Sequence, residues 1–467
     1  MSTIRIIVFP LLLSLILSIN ALGQVIISEI VADNTKVDDE DTDSPSWFEL
    51  YNTSADPVVL DGWYLSNDAE NLTKWTITQL TLEGKAVRLI FASGKDRPLA
   101  ADTIDEQFLH TNFGLPNDGG YLALVEPDGT TISDELTYPS LEKNLPYGRS
   151  SGETGYFFPA SPNEINSGRP RPKGLTPKVV PSHRGGLIAG PIELTLEVPD
   201  HPEASIQYGL GGVDPSAFTP KYSGPITIDK STTLRIKATL PDHLSSRIIE
   251  IGFLMMDETL TNFVGTGKVF DSNIPVIVID SFGANLTNSR AFKPTYSVVI
   301  SPDPETGRAS LTGKSDYEGP SGVHLRGESS AGFGQKSYAL ELRDADGEDH
   351  DAALLGMPAD SDWAIYGPWS EKSLIRNKLV FDWMRALRGA DGTSMRTRFV
   401  EIFINQRESD TIGYDAYQGV HLLMEKIKIN ADRVPIGNLN EHTVDPDLIT
   451  GGYIFRKDKT DNGKNNW

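Results

Sequence analysis

No cysteine occurs anywhere in the 467 residues. Disulfides, thiolate zinc sites and a cysteine nucleophile are all excluded, so the fold holds without covalent cross-links. Histidine is scarce as well: eight are scattered along the chain with no His-Glu-x-x-His, which disfavours a zinc protease. Positive charge is in short supply, with 42 Lys and Arg against 64 Asp and Glu and a formal net charge of −22. So acidic a chain repels phosphate backbones and anionic headgroups, and no nucleic-acid partner is expected. Beyond the first twenty or so residues no apolar run is long enough to cross a bilayer, so no later membrane span is expected.

What is present is ordinary for folded domains: 39% hydrophobic and 23% charged residues. The length exceeds one hydrophobic core and points to two to four domains. Arg5, the apolar stretch Ile6 to Ile19 and Ala21-Leu22-Gly23 before Gln24 have the pattern of a secretory signal peptide over residues 1–23. An uncleaved anchor is the alternative, but the stretch falls short of the roughly 20 residues that span a bilayer. A cysteine-free exported chain suits a bacterial envelope or exterior, secreted or at the cell surface, where other proteins and surface polymers are the partners within reach.

From Val25 to Asn166 short apolar runs alternate with turn residues, as in Trp47-Phe48-Glu49-Leu50-Tyr51 and Val87-Arg88-Leu89-Ile90-Phe91, punctuated by Asp61-Gly62 and Asp128-Gly129. No 3.6-residue period is sustained, and the segment reads as an all-β sandwich. A Pro- and Gly-rich stretch, Gly168 to Pro181, carries Arg169, Arg171 and Lys173 and reads as an exposed linker, assigned to residues 167–178. Period-two alternation returns over 179–255, in Ile192 to Val198 and Thr232 to Ala238, for a second sandwich. The third segment, 274–467, mixes strands at Val276 to Asp280, Tyr296 to Ile300, Val323 to Arg326, Ser337 to Arg343, Phe399 to Asn405 and Val420 to Met424 with an amphipathic helix at Lys372 to Leu387. It reads as α+β.

These residues also carry three resemblances. Ile26-Ile27-Ser28-Glu29-Ile30, Trp47 to Asn52, Leu60 to Ser66, His110 to Phe113, Tyr147-Gly148-Arg149 and Asn163 to Asn166 resemble the lamin-tail domain, an immunoglobulin-like sandwich. Ile206-Gln207-Tyr208, Asp214-Pro215, Tyr222 to Ile226 and Ser231 to Leu234 resemble the C-terminal module of chitobiases and hexosaminidases. There Tyr208-Gly209-Leu210-Gly211-Gly212 departs from the usual loop, and the module is taken as a spacer or accessory unit rather than a glycosidase. Arg326 to Ser330, Lys336 to Leu342, Leu354 to Pro358, Asp362-Trp363, Arg376-Asn377, Phe399 to Asn405, Leu423 to Ile427 and Gly451 to Ile454 resemble the CotH family of spore-coat-type kinases. The fold expected from them together is two all-β immunoglobulin-like sandwiches followed by an incomplete α+β kinase-like domain.

The CotH resemblance implies an atypical protein kinase that uses ATP and Mg to phosphorylate Ser or Thr. It makes Lys336, at the start of a strand behind the small-residue loop Gly327 to Gly334, a phosphate-binding candidate; read alone, such a lysine is a solvated surface residue. Arg326 is a second phosphate contact or a structural partner of Glu328 or Glu341. Glu425, in Met424-Glu425-Lys426, sits where the kinase plan joins its lobes and backbone faces adenine, or else on an edge strand. Glu371 and Asp382 are both available to orient Lys336. No catalytic residue is assigned: in that family the carboxylates that hold metal lie downstream of Gly451-Gly452, and Asp458 and Asp461 do not match them. The domain is therefore expected to be cut short or inactive. The competing expectation is a non-catalytic extracellular binding or adhesion protein with a degenerate kinase-like fold. No metal ligand is assigned either, and the acidic run Asp38 to Asp43 is read as a solvated loop rather than a Ca²⁺ site.

Overall fold

The computed structural model describes residues 24–98, 108–388, 394–437, 439 and 449–452. The signal-peptide segment, Tyr453-Ile454, Asp458 and Asp461 lie outside them. No helix among the described residues is long and apolar enough to cross a membrane. The chain divides into two compact units, Met1–Gly174 and Leu175–Trp467, parting within the Pro- and Gly-rich stretch.

The main strands of the first unit are β1 (Val25–Val31), β2 (Ser46–Asn52), β3 (Tyr64–Ser66), β4 (Trp75–Thr76), β5 (Val87–Ala92), β6 (Gly120–Val125), β7 (Ile132–Tyr138), β8 (Tyr147–Ser150) and β9 (Glu153–Tyr156). They form a five-stranded sheet, β9-β8-β1-β2-β5, and a four-stranded sheet, β4-β3-β6-β7. Alternation sends Ile27, Phe48, Leu50, Ile90, Leu65, Leu122 and Leu124 into one core between the sheets, the sandwich expected from the pattern. A bulge between Ile27 and Glu29 shifts the register of β1, so Glu29 and Val31 face outward beside Glu49 and Trp47. That outer face is not solvent-exposed, because Val31, Trp47, Leu89 and Phe91 form a second buried cluster against Ala160. The expected linker is partly ordered: Arg171 exchanges backbone hydrogen bonds with Tyr156, at 2.7 and 2.9 Å.

In the second unit β10 (Gly186–Ile188), β11 (Ser205–Leu210), β12 (Thr232–Thr239) and β13 (Ile249–Met255) make a sheet in the order β10-β13-β12-β11. Leu234, Ile236 and Ala238 of β12 are buried at alternate positions, as the sequence pattern requires. The run Ile192 to Val198 is broken instead into Ile192–Leu194 and Leu196–Glu197, because the Thr195 N–H turns to the Ser182 hydroxyl at 2.9 Å.

The rest of the unit holds β14 (Val276–Asp280), β15 (Lys293–Ile300), β16 (Tyr317–Arg326), β17 (Ser337–Leu342), β18 (Asp362–Tyr366), helix α1 (Arg376–Arg388), β19 (Thr397–Asn405) and β20 (Tyr417–Glu425). The strands close into a barrel in the order β14-β15-β16-β17-β18-β20-β19, with β19 parallel to β14. Strand and helix both occur, as expected, but strands dominate. β14 explains itself: Ile277 and Ile279 point into the barrel core while Val276 and Val278 join an outer cluster with Phe270, Tyr296 and Phe403, so both faces are covered.

The small sandwich does not stand clear of the barrel. A side chain at Gly252 of β13 would put its Cβ 2.6 Å from ring atoms of Tyr296, which is 2% exposed on β15. Gly252→Ala is therefore expected to cost about 1–3 kcal/mol, since a buried ring cannot yield that space. Urea unfolding of the full chain checks this; an unchanged midpoint would show that the two faces part freely.

Candidate functional site

Lys336 lies at one end of the barrel, where β16 ends and the chain loops back into β17. Gly327 turns the loop with φ +89°, a conformation open to glycine, and a 3₁₀ turn, Ser329–Gly332, follows. The Lys336 ammonium reaches back to the carbonyl oxygen of Ala331 at 2.9 Å, and among the described residues no carboxylate pairs with it. Its backbone is fixed from two sides. His421 Nε2 lies 3.0 Å from the Lys336 carbonyl oxygen, and Gly367 packs so closely that a Cβ there would fall 2.3 Å from the same oxygen. Gln335, one residue earlier, donates its side-chain amide to the Val420 carbonyl at 2.7 Å. Trp369 backs the loop at Gly334, and the Lys372 ammonium sits 5.1 Å from the centre of its ring.

His421 is 1% exposed, and its Nδ1 lies 3.2 Å from the Gly419 carbonyl. Burial holds its pKa below the ordinary value, outweighing the pull of the two carbonyls. A neutral imidazole donates to only one of them, so the ring anchors the Lys336 strand without adding charge.

The other candidates are placed differently. Leu325 pairs with Tyr338 on the barrel interior, so Arg326, opposite Ser337, is turned outward and exposed. It pairs with neither Glu328 nor Glu341 among the described residues; Glu341 takes Arg343 at 2.7 Å. Glu425 is four residues beyond His421 on β20, about 13 Å along an extended strand, and so at the far end of the barrel from Lys336. It is 3% exposed, and its carboxylate accepts from the Arg396 N–H at 2.6 Å and guanidinium at 2.7 Å. Glu371 accepts from the backbone N–H groups of Ser373 at 2.8 Å and Arg376 at 3.3 Å, and Asp382 pairs with Lys378 at 2.6 Å, so neither orients Lys336.

Sequence reasoning passed over His421, Gln335 and Trp369. The one usable signal was the period of β20, which sets His421, Leu423 and Glu425 on one face. The acidic run of the first unit, read as a solvated loop, is solvated at Asp38, Thr42 and Asp43 but not throughout. Asp39 is 5% exposed, and the Lys95 ammonium lies 2.6, 2.7 and 2.9 Å from Asp39, Asp41 and Asp43. Against the cost of burial, these carboxylates hold Lys95 above its ordinary pKa. The lysine already occupies the place a cation would take.

At the Lys336 end the donors suit a phosphate group: an ammonium without an acidic partner among the described residues and a loop of small residues. A metal is not matched, because the groups of three or more close acidic or histidine ligands among the described residues all belong to the first unit.

Three family models match successive segments of the chain. The Lamin Tail Domain model matches residues 19–140, the chitobiase/beta-hexosaminidase C-terminal domain model residues 183–250, and the CotH kinase protein model residues 323–467. Their order is that of the three resemblances, and the CotH match takes in the loop, Lys336 and His421. No curated protein matches the chain.

Proposed function

We propose that the 175–467 unit holds a nucleoside triphosphate at the Gly327–Lys336 end of its barrel. On this reading it is, when intact, the CotH-type atypical protein kinase domain of an exported surface-associated protein, passing the γ-phosphoryl of ATP to a protein Ser or Thr hydroxyl and releasing ADP. The observation that carries it is the state of Lys336: its ammonium has a carbonyl oxygen and, among the described residues, no carboxylate, and its backbone is clamped by His421 and Gly367. A cation left without an acid and fixed behind a small-residue loop is preorganised for an anion. The α+β, kinase-like reading draws support from chain order, in which strand, small-residue loop, strand, strand, helix and two strands follow in turn from β16 to β20. When bound, Mg²⁺ would neutralise charge on the β- and γ-phosphates; among the described residues no group of three close acidic or histidine ligands lies in this unit, so no step is assigned to it.

The test is binding and transfer measured together on the full chain. Lys336→Ala should weaken ATP binding by about 10- to 100-fold, the loss of one or two charge-assisted hydrogen bonds. With Mg²⁺ or Mn²⁺ supplied, label should pass from γ-labelled ATP to protein in a chain that also carries the metal-holding carboxylates expected downstream of Gly451-Gly452. Binding that depends on Lys336 without transfer would leave the non-catalytic surface-binding protein as the correct reading. Binding that ignores the substitution would remove Lys336 from the site.

A further inference from the structure

The outer face of the five-stranded sheet in the first unit carries two carboxylic acids where a solvated face would be expected. Glu29 of β1 stands opposite Glu49 of β2, and both are 0% exposed. Gly148 of β8 pairs with Glu29, and a Cβ there would collide with the Ser28 carbonyl at 2.0 Å, so β8 covers neither acid. On the other side Leu89 of β5 pairs with Glu49. The cover comes from the strap that follows β9, residues 157–166. Phe157 is buried at one end and Asn166 at the other, and the residues between are partly or fully exposed. Ser161 donates its N–H to Glu29 at 3.1 Å, and Asn163 donates its N–H to Glu49 Oε1 at 2.5 Å. Glu49 Oε2 has no hydrogen-bond partner among the described residues. The charge that acts on the pair from the strap is Glu164, of the same sign; no Lys, Arg or His is among the groups that shift either acid.

The hydrogen bonds around Ser161 set two acceptors against a single hydroxyl proton. The Asn166 side-chain amide nitrogen donates to the Ser28 carbonyl at 2.8 Å and to the Arg149 carbonyl at 3.0 Å, so its Oδ1 is an acceptor. Ser161 Oγ lies 2.7 Å from that Oδ1 and 2.8 Å from Glu29 Oε2. Ser161 Oγ has one proton for these two acceptors. While an ionised Glu29 takes it, Oγ and Asn166 Oδ1 face each other at 2.7 Å with no proton between them. A neutral Glu29 can give its own proton to Oγ and complete a relay through Ser161 to Asn166 and on to the β1 and β8 carbonyls.

We propose that Glu29 and Glu49 form a proton-dependent latch on this strap: it stays closed while the acids are neutral and lifts from the sheet when they ionise. Ionised Glu29 would turn the Ser161 proton away from Asn166 and break the relay at its centre. Two neighbouring anions, with no cation beside them among the described residues, would then lie under a strap that offers them two N–H groups. Burial pushes Glu29 up to about 7, and burial with the added charge of Glu29 pushes Glu49 up to about 9, so the transition falls between neutral and mildly alkaline pH.

Hydrogen exchange of the full chain at pH 6 and pH 9.5, corrected for intrinsic rate and read by mass spectrometry, tests this. In the wild type the peptide covering 157–166 should lose at least tenfold in protection at the higher pH while Gly120–Val125 in the other sheet keeps its own. Glu29→Gln, which can still donate to Ser161, should lose less than the wild type. Ser161→Ala sits in an exposed segment that leaves the core intact; it should show low strap protection already at pH 6. Equal wild-type protection at the two pH values, an equal fall in Glu29→Gln, or a parallel fall in Gly120–Val125 each overturns the latch.

Discussion

Asp360→Ala should destabilise the barrel by about 3–5 kcal/mol, the cost of leaving a buried guanidinium without its anion. The Arg433 side chain is 3% exposed, and its Nε lies 3.2 Å from Asp360 Oδ2. Its two terminal nitrogens donate to the Asp362 and Lys426 carbonyls at 3.0 Å each, and the guanidinium lies over Trp363, 5.2 Å from the ring centre. Asp360 also accepts from the Asp362 N–H at 2.8 Å and from Asn430 at 3.2 Å, and its carbonyl takes the Trp363 indole N–H at 3.0 Å. One aspartate therefore ties the start of β18 to the chain beyond β20, at the end of the barrel where Glu425 is buried. Arg433→Met in the Asp360→Ala background should restore part of the loss, because the stranded charge goes with it. Urea unfolding of the full chain, followed by exchange in β17 and β18 peptides, measures both. A change below about 1 kcal/mol for Asp360→Ala would mean that water reaches the guanidinium.

That network illustrates what the sequence conceals. The six barrel strands read from apolar alternation appear at their expected places, and Val276 to Ile279, a continuous apolar run, is a strand with both faces covered. β18 was missed because Asp362–Tyr366 is short and follows Asp360-Ser361, a polar start that looks like a turn. The helix was legible from its period, yet Leu379, Val380, Trp383 and Leu387 remain exposed among the described residues, so its apolar stripe reported helix and not burial.

Site geometry was less legible still, for a reason of distance along the chain. Lys336 and His421 are separated by 85 residues, and Glu29 and Ser161 by 132. A glutamate in a strand reads as a solvent-facing position, and only the register of β1 on β2 and the return of the strap show that Glu29 and Glu49 are enclosed. Motif resemblance did pick out Lys336 and the segments holding Glu29, Glu49 and Asn166. It could not say which residues face each other, since strand order and closure, not motif, brought His421 rather than Glu425 to the level of Lys336.

The enclosed acids also give the first unit a pH dependence whose sign runs against the usual one for carboxylates. Both folded-state pKa values lie above the ordinary 4.5, so the folded state binds these protons more tightly than the unfolded chain. Their contribution is fully present below about pH 4.5 and is lost as pH rises through the folded values of about 7 and 9. Glu40 and Asp41, held below their ordinary values against the cost of burial by hydrogen bonds and by His110, Arg97 and Lys95, act in the opposite sense. Their stabilisation is complete above their unfolded values and is lost only as pH falls below that range, so the two effects occupy separate windows. Between pH 7 and 9 most of the remaining slope belongs to Glu49, on the order of 1 kcal/mol per pH unit and shrinking as pH nears 9. The wild type should lose roughly 2–3 kcal/mol across that interval. Glu49→Gln keeps an acceptor for the Asn163 N–H and has no proton to lose, so its stability should be nearly flat there, and it should be the more stable protein at pH 9. Urea midpoints of the full chain, followed by exchange in the β1 and β2 peptides at pH 7, 8 and 9, give the two slopes. Parallel slopes would place the titrating group elsewhere, and a Glu49→Gln variant that is weaker at every pH would mean that Glu49 is already ionised at pH 7.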